Sequence, residues 1–141
     1  MTGVAEKEME LTLPMVADIE VAAARAAGNL ARQFGMSSER IDEMAHAIIE
    51  ACINAREHGG CADQRIYLRF VAGSTEDGRP RMDIWITDHG KGFDTVSVRK
   101  RRNQPGARRG WGLQIIEAHM DEVEIESGDH GTTLHMVKIG E

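Results

Sequence analysis

Two stretches near the middle of the chain, RIYLRFVA at 65–72 and RMDIWITD at 81–88, alternate apolar and polar residues, and the turn-rich GSTEDGRP separates them. A period of two sends every second side chain to the same side of an extended strand, so each stretch reads as a strand with one apolar face and the pair as a hairpin. A sheet of this kind needs a second layer, because its apolar face must be covered.

The rest of the chain supplies that layer and more strands. EMELTLP at 8–14 alternates in the same way and stops at Pro14. An alanine-rich helix follows from about Val16 to Phe34, ended by Gly35. Ser37 or Ser38 can cap a second helix, in which Ile41, Met44, Ala45, Ile48, Cys52 and Ala55 return to one side until Gly59 and Gly60. After Asp88 the chain runs through DHGKGFD and a basic segment into RRGWGLQIIEAHM, where Leu113, Ile116 and Met120 suit a short helix. DEVEIES and TTLHMVKI then alternate around Gly128 and Gly131. The order is strand, two helices, two strands, a long loop, a helix and two strands. It predicts an α+β fold, a two-layer α/β sandwich whose mostly antiparallel, mixed sheet is covered on one face by helices. No internal repeat, low-complexity tract or linker interrupts it, so residues 1–141 are expected to form a single domain.

Composition narrows the function classes. A chain of 141 residues can bury about 70% of the surface its unfolded form exposes. No apolar run approaches the roughly 20 residues of a membrane span. The start, MTGVAEKEMELTL, lacks the basic and apolar regions of a signal peptide, so a cytoplasmic location without membrane attachment is expected. Cys52 and Cys61 form neither a CxxC pair nor a disulfide framework and read as reduced thiols. Net charge is −6, yet residues 94–109 hold six of the 17 basic residues and one of the 23 acidic ones. A short basic segment in an acidic body suits a local anion site better than a broad nucleic-acid surface. RKRR at 99–102 also lacks interleaved aromatics, and no direct nucleic-acid contact is expected.

Three constellations carry chemistry. In EACINAREHG at 50–59, Glu50, Asn54 and His58 recur every four residues, which stacks a carboxylate, an amide and an imidazole into one stripe on a helix. Such a stripe is either a solvated face or the wall of a site. The Asn54 carbonyl suits Mg²⁺, which takes oxygen ligands and often few from protein, and Glu50 one turn earlier can orient or deprotonate an attacking hydroxyl. In DHGKGFD, Asp88 is mounted at a strand end, while Gly90 and Gly92 open the backbone to a flat ligand; the same spacing also suits a tight surface turn. In RRGWGLQII, Gly110 and Gly112 precede a helix whose free N–H groups attract phosphate, with Arg108 and Arg109 at the entrance. An ordinary loop would look the same. The spacing is neither that of a P-loop nor that of a dinucleotide-binding fold.

Taken in order, E-x-x-x-N on a helix, D-x-G-x-G-F after a strand, a lid-like loop, G-x-G-L opening a helix and a final G-T-T resemble the GHKL ATP-binding superfamily over nearly the whole chain. EACINAREHG, ITDHGKGFD, RRGWGLQIIEAHMDEVEIES and HGTTLHMVK are most similar to its stand-alone anti-sigma factor serine/threonine kinases. Histidine kinases would need a separate helical hairpin carrying the phosphorylated histidine, for which these residues leave no room.

The resemblance implies ATP and Mg²⁺ as cofactors. It makes Glu50 the catalytic base and Asn54 the Mg²⁺ ligand. Asp88 would bind the adenine amine, with Thr132 or Thr133 acting through water, and Gly90 and Gly92 would shape the pocket. Gly110, Gly112 and Leu113 would border the phosphates, with residues 94–109 as the ATP lid and Arg108 or Arg109 neutralising the γ-phosphate. Such arginines contribute roughly 10³ or more in rate elsewhere. The implied activity is a protein serine/threonine kinase that phosphorylates a small anti-sigma factor antagonist in a partner-switching system and binds a sigma factor. A nucleotide-dependent binding module that transfers no phosphate is the alternative. Trp111 stands where the family more often has a smaller aliphatic residue, and His58 suits capping or packing as well as chemistry. Arg56, on the apolar side of its helix, suits either a partner contact or a snorkelling arginine. His46 and His119 are expected on helix surfaces, and no histidine has metal-binding spacing. The strand near Met9 is an edge to which a second copy can pair, giving a homodimer.

Overall fold

The computed structural model describes residues 6–58, 63–90 and 113–140, and these form five strands and three helices. In chain order they are β1 (Lys7–Pro14), α1 (Ile19–Gln33), α2 (Ser38–His58), β2 (Arg65–Ser74), β3 (Pro80–Asp88), α3 (Leu113–His119), β4 (Glu122–Gly128) and β5 (Gly131–Ile139). Helix α1 begins three residues later than the alanine-rich pattern suggests. Met15 N–H still donates to the Gln64 carbonyl at 2.9 Å, and Asp18 takes a left-handed conformation with φ of 68°, so the chain turns before it coils. Gly35, with φ of 89°, closes the exit from α1. Ser37 is the residue that caps α2, its Oγ accepting the Arg40 N–H at 3.3 Å.

The strands lie in the order β1-β2-β3-β5-β4, and every described pairing is antiparallel. The sheet is therefore not mixed. The crossover through α3 does bring β4 back in the direction of β3, but β5 folds in between and pairs antiparallel with both. Ile66, Leu68, Phe70 and Ala72 of β2 and Met82, Ile84 and Ile86 of β3 are buried against Ala27, Leu30, Met44 and Ile48 of the helices. Gly28 sits where α1 meets α2: a Cβ there would come to 3.1 Å of Ile41 Cγ2.

Buried charges tie the layers together. Glu20 of α1, 7% exposed, accepts a 2.7 Å bond from Arg56 of α2, whose guanidinium also donates to the Val16 carbonyl. Arg56 thus joins the two helices of its own chain. Lys138 of β5, 3% exposed, pairs with Glu43 of α2 at 3.1 Å and donates to the His119 carbonyl at the end of α3. His46 is exposed as expected, whereas His119 is half-buried and meets its ring edge-on at 5.3 Å. On the other face of the sheet, Trp85 stacks on His135 at 4.4 Å and Arg69 lies over Trp85 at 4.8 Å. Burial there pushes the Asp83 carboxyl up, and hydrogen bonds from Arg81 and His135 more than offset it, leaving the group below the usual carboxylate range.

Candidate active site

The C-terminal half of α2 is buried on two sides. Ile48, Cys52 and Ala55 face the core, but Glu50 and Asn54 are also only 9% and 4% exposed; α3 packs against α2, and its Leu113 and Ile116 share a cavity with Asn54. Glu50 and Asn54 of the polar stripe are thus interior. Small residues at 51 and 55 keep the helix surface there shallow, and Ala51, Asn54 and Ala55 line a narrow cavity of about 30 Å³ with Ile86, Asp88, Leu113, Ile116, Ile125, Thr132 and Leu134. Apolar walls with a few convergent polar groups are the usual composition of a small-molecule site.

Each polar group has a structural reason to be there. Asp88 is the last residue of β3, in phase with Met82, Ile84 and Ile86, so strand alternation turns its carboxylate toward the helices. Its Oδ1 accepts the Gly90 N–H at 2.9 Å, which fixes the rotamer. Thr132 is its cross-strand partner on β5 and, 8% exposed, lines the same cavity. Gly131 makes this approach feasible: its φ is 138°, and a Cβ there would fall 2.0 Å from the Asp88 carbonyl oxygen. Asn54 Oδ1 is buried and finds no hydrogen-bond partner among the described residues. A buried amide oxygen without a donor is costly in an apolar setting and free to bind a hard cation. The donor chemistry therefore fits Mg²⁺.

Of the residues singled out in the sequence, Asn54, Asp88, Leu113 and Thr132 share the cavity. Glu50 lies one helical turn before Asn54, buried on the same flank. Gly90 touches Asp88 through its backbone. Thr133 is not brought in: alternation turns it to the opposite face, where its hydroxyl meets that of Thr87 at 3.1 Å. Gly92, Arg108, Arg109, Gly110, Trp111 and Gly112, the loop 94–109, Cys61 and the His58 side chain lie outside the described residues. Ile86, Leu134 and Ile125 were missed as wall residues, although strand phase with Asp88, Thr132 and Ser127 would have found them. Cys52 is behind the wall, 2% exposed, and burial pushes its thiol up to about 12, with the charge of Glu20 adding to the effect. It is neutral and unreactive near pH 7.

The chain matches the family of the histidine kinase-like ATPase domain over residues 15–138. It is similar to serine-protein kinase RsbW of Bacillus licheniformis, with 32% identity over 117 residues that cover 77% of this chain and 71% of the relative. Serine-protein kinase RsbW of Bacillus cereus is 28% identical over 140 residues, covering 94% and 84%. Among solved structures, the RsbU and RsbW domains of Rv1364c from Mycobacterium tuberculosis share the fold at a TM-score of 0.70 and 22% identity, over 96% of this chain and 33% of that longer one. The histidine kinase domain of a blue-light activated kinase from Erythrobacter litoralis gives a TM-score of 0.53 at 12% identity, over 89% and 61% of the two chains.

Proposed function

Since the chain belongs to the histidine kinase-like ATPase family and, within it, to the serine-protein kinases of the RsbW type, we propose that it transfers the γ-phosphoryl group of ATP to a serine or threonine of a small anti-sigma factor antagonist. The observation that carries this reading is the burial of Asn54 Oδ1, without a partner among the described residues, in the cavity that Asp88 and Thr132 also line.

Asp88 is an acceptor-only carboxylate and receives the exocyclic amine of adenine, while Thr132 completes the polar edge. Asn54 holds Mg²⁺ through its carbonyl, and the ion when bound offsets charge on the phosphates. Glu50 takes the proton of the substrate hydroxyl and orients that oxygen for attack. Leu113 and Ile116 exclude water from the base. Arg108 or Arg109, within the lid 94–109 that the family resemblance implies, would neutralise the γ-phosphate, and Gly110 and Gly112 would border the phosphates; these residues lie outside the described ones. The antagonist is the substrate and a sigma factor the partner released when switching occurs, in the cytoplasm. Calorimetric titration of ADP with and without Mg²⁺ tests the site. Wild type binds more tightly with the metal, and Asn54→Ala loses that difference while keeping metal-free affinity. Equal metal enhancement in both proteins would remove Asn54 from the metal site.

A further inference from the structure

The turn after β3 carries one side chain that the mechanism leaves unused. His89 follows Asp88 in phase with Trp85 and Thr87, so its ring stands on the face of the sheet away from the helices. There it meets Tyr67 of β2 and Asp63 of the connection between α2 and β2. The Tyr67 and His89 rings stack at 4.4 Å with an interplanar angle of 30°. Tyr67 Oη and His89 Nδ1 lie 2.6 Å and 3.1 Å from the same oxygen, Asp63 Oδ2. Asp63 Oδ1 accepts the Arg65 N–H at 3.4 Å, which ties the carboxylate to its own backbone.

The direction of these bonds is fixed by the acceptor. The Tyr67 hydroxyl above all, then the Arg65 N–H and His89, hold the Asp63 carboxyl below the usual carboxylate range against a smaller effect of burial. An ionised carboxylate only accepts, so Tyr67 O–H and a proton on His89 Nδ1 both donate to it. The main chain of residue 89 is held from the other side, because a Cβ at Gly131 of β5 would lie 3.0 Å from His89 Cα. The next residue is Gly90, whose N–H donates to Asp88 Oδ1 at 2.9 Å. A glycine has more backbone freedom to lose than any other residue, so this bond depends on what anchors the residue before it. We propose that His89 is a positioning residue for the candidate site: gripped by Asp63 and Tyr67, it fixes the turn whose Gly90 N–H holds the Asp88 carboxylate. The grip also links the strand end that bears Asp88 to the segment leaving the helix of Glu50 and Asn54. For its effect on ligand affinity the inference rests on the nucleotide reading of the cavity; the grip on the turn is tested without it.

Two measurements test it on wild type, His89→Ala, His89→Phe and His89→Asn: hydrogen exchange at the Gly90 amide in the free protein, and ADP dissociation constants by calorimetry. Loss of one hydrogen bond changes an equilibrium by about threefold to tenfold. His89→Ala should speed exchange at Gly90 and weaken ADP by about that factor, and so should His89→Phe, which keeps a ring and loses the donor. His89→Asn, whose amide N–H can stand where Nδ1 does, should recover both. Asp63→Ala should match His89→Ala, with the double variant no worse than either. Three results would overturn the role: exchange and affinity unmoved in His89→Ala, exchange that speeds while ADP affinity holds, or His89→Asn as impaired as His89→Ala, the mark of a merely structural loss. If exchange at Gly90 responds as expected and wild type binds no ADP, the grip on the turn stands and the nucleotide reading of the cavity falls.

Discussion

At the scale of single residues, Glu50 and Asn54 depend on neighbours that no helical wheel can display. Both are buried, Asn54 beside Leu113 and Ile116 of α3, and Asn54 Oδ1 is left without a partner among the described residues because the nearby side chains are largely alanine, leucine and isoleucine. Glu50→Gln keeps the shape and removes the proton acceptor. Phosphoryl transfer in a single-turnover assay should fall by about 10²-fold to 10⁴-fold, with ADP affinity within about a factor of three of wild type; an unchanged transfer rate would exclude Glu50 as the base. Cys52 permits a pH prediction. A solvated cysteine thiol ionises near 9.0, whereas this one, buried in the folded chain, ionises at about 12, so folding favours the protonated form. That contribution is complete below pH 9.0 and is lost as pH rises toward about 12. Denaturant unfolding of wild type should show stability declining above about pH 9, and Cys52→Ala should show a shallower decline. Parallel profiles for the two proteins would contradict the assignment.

At the scale of elements, the meeting of β3 with β5 sets the site. Gly131→Ala places a methyl carbon where the Asp88 carbonyl already lies, 2.0 Å away, on a backbone of positive φ. It should lower the melting temperature and weaken ADP binding together. Gly128→Ala, with open space around the new atom, is the control and should do neither. The α1–α2 tie is a separate device. Removing Arg56 as Arg56→Met strands the buried Glu20 carboxylate and should cost about 3 kcal/mol in urea unfolding, and Glu20→Gln should cost less because the arginine left behind is partly solvated.

Much of this was legible in the sequence. The alternating runs gave all five strands, and the phase of β3 put Asp88 on the helix side, because a period of two survives any packing. The same rule separates Thr132 from Thr133, although the G-T-T motif had left both open. What was not legible depends on contacts distant in sequence. The antiparallel sheet follows from β5 inserting between β3 and β4, the buried Lys138 from its meeting with Glu43 and His119, and the role of Arg56 from Glu20 lying 36 residues away.

At the scale of the whole molecule, an acidic body carries a basic segment at 94–109, and among the described residues no helix is long and apolar enough to cross a membrane. That charge separation favours a polyanion held at one place. A kinase and a passive nucleotide holder both need such a site, and the likeness to the serine-protein kinases favours the kinase. Incubating the chain with γ-labelled ATP, Mg²⁺ and the antagonist proteins of the same genome, beside the Asn54→Ala protein, decides between the two. Label should appear on a serine or threonine of one antagonist and be lost with Asn54→Ala; ATP binding with no label on any antagonist would contradict the kinase and leave a nucleotide-gated binding module.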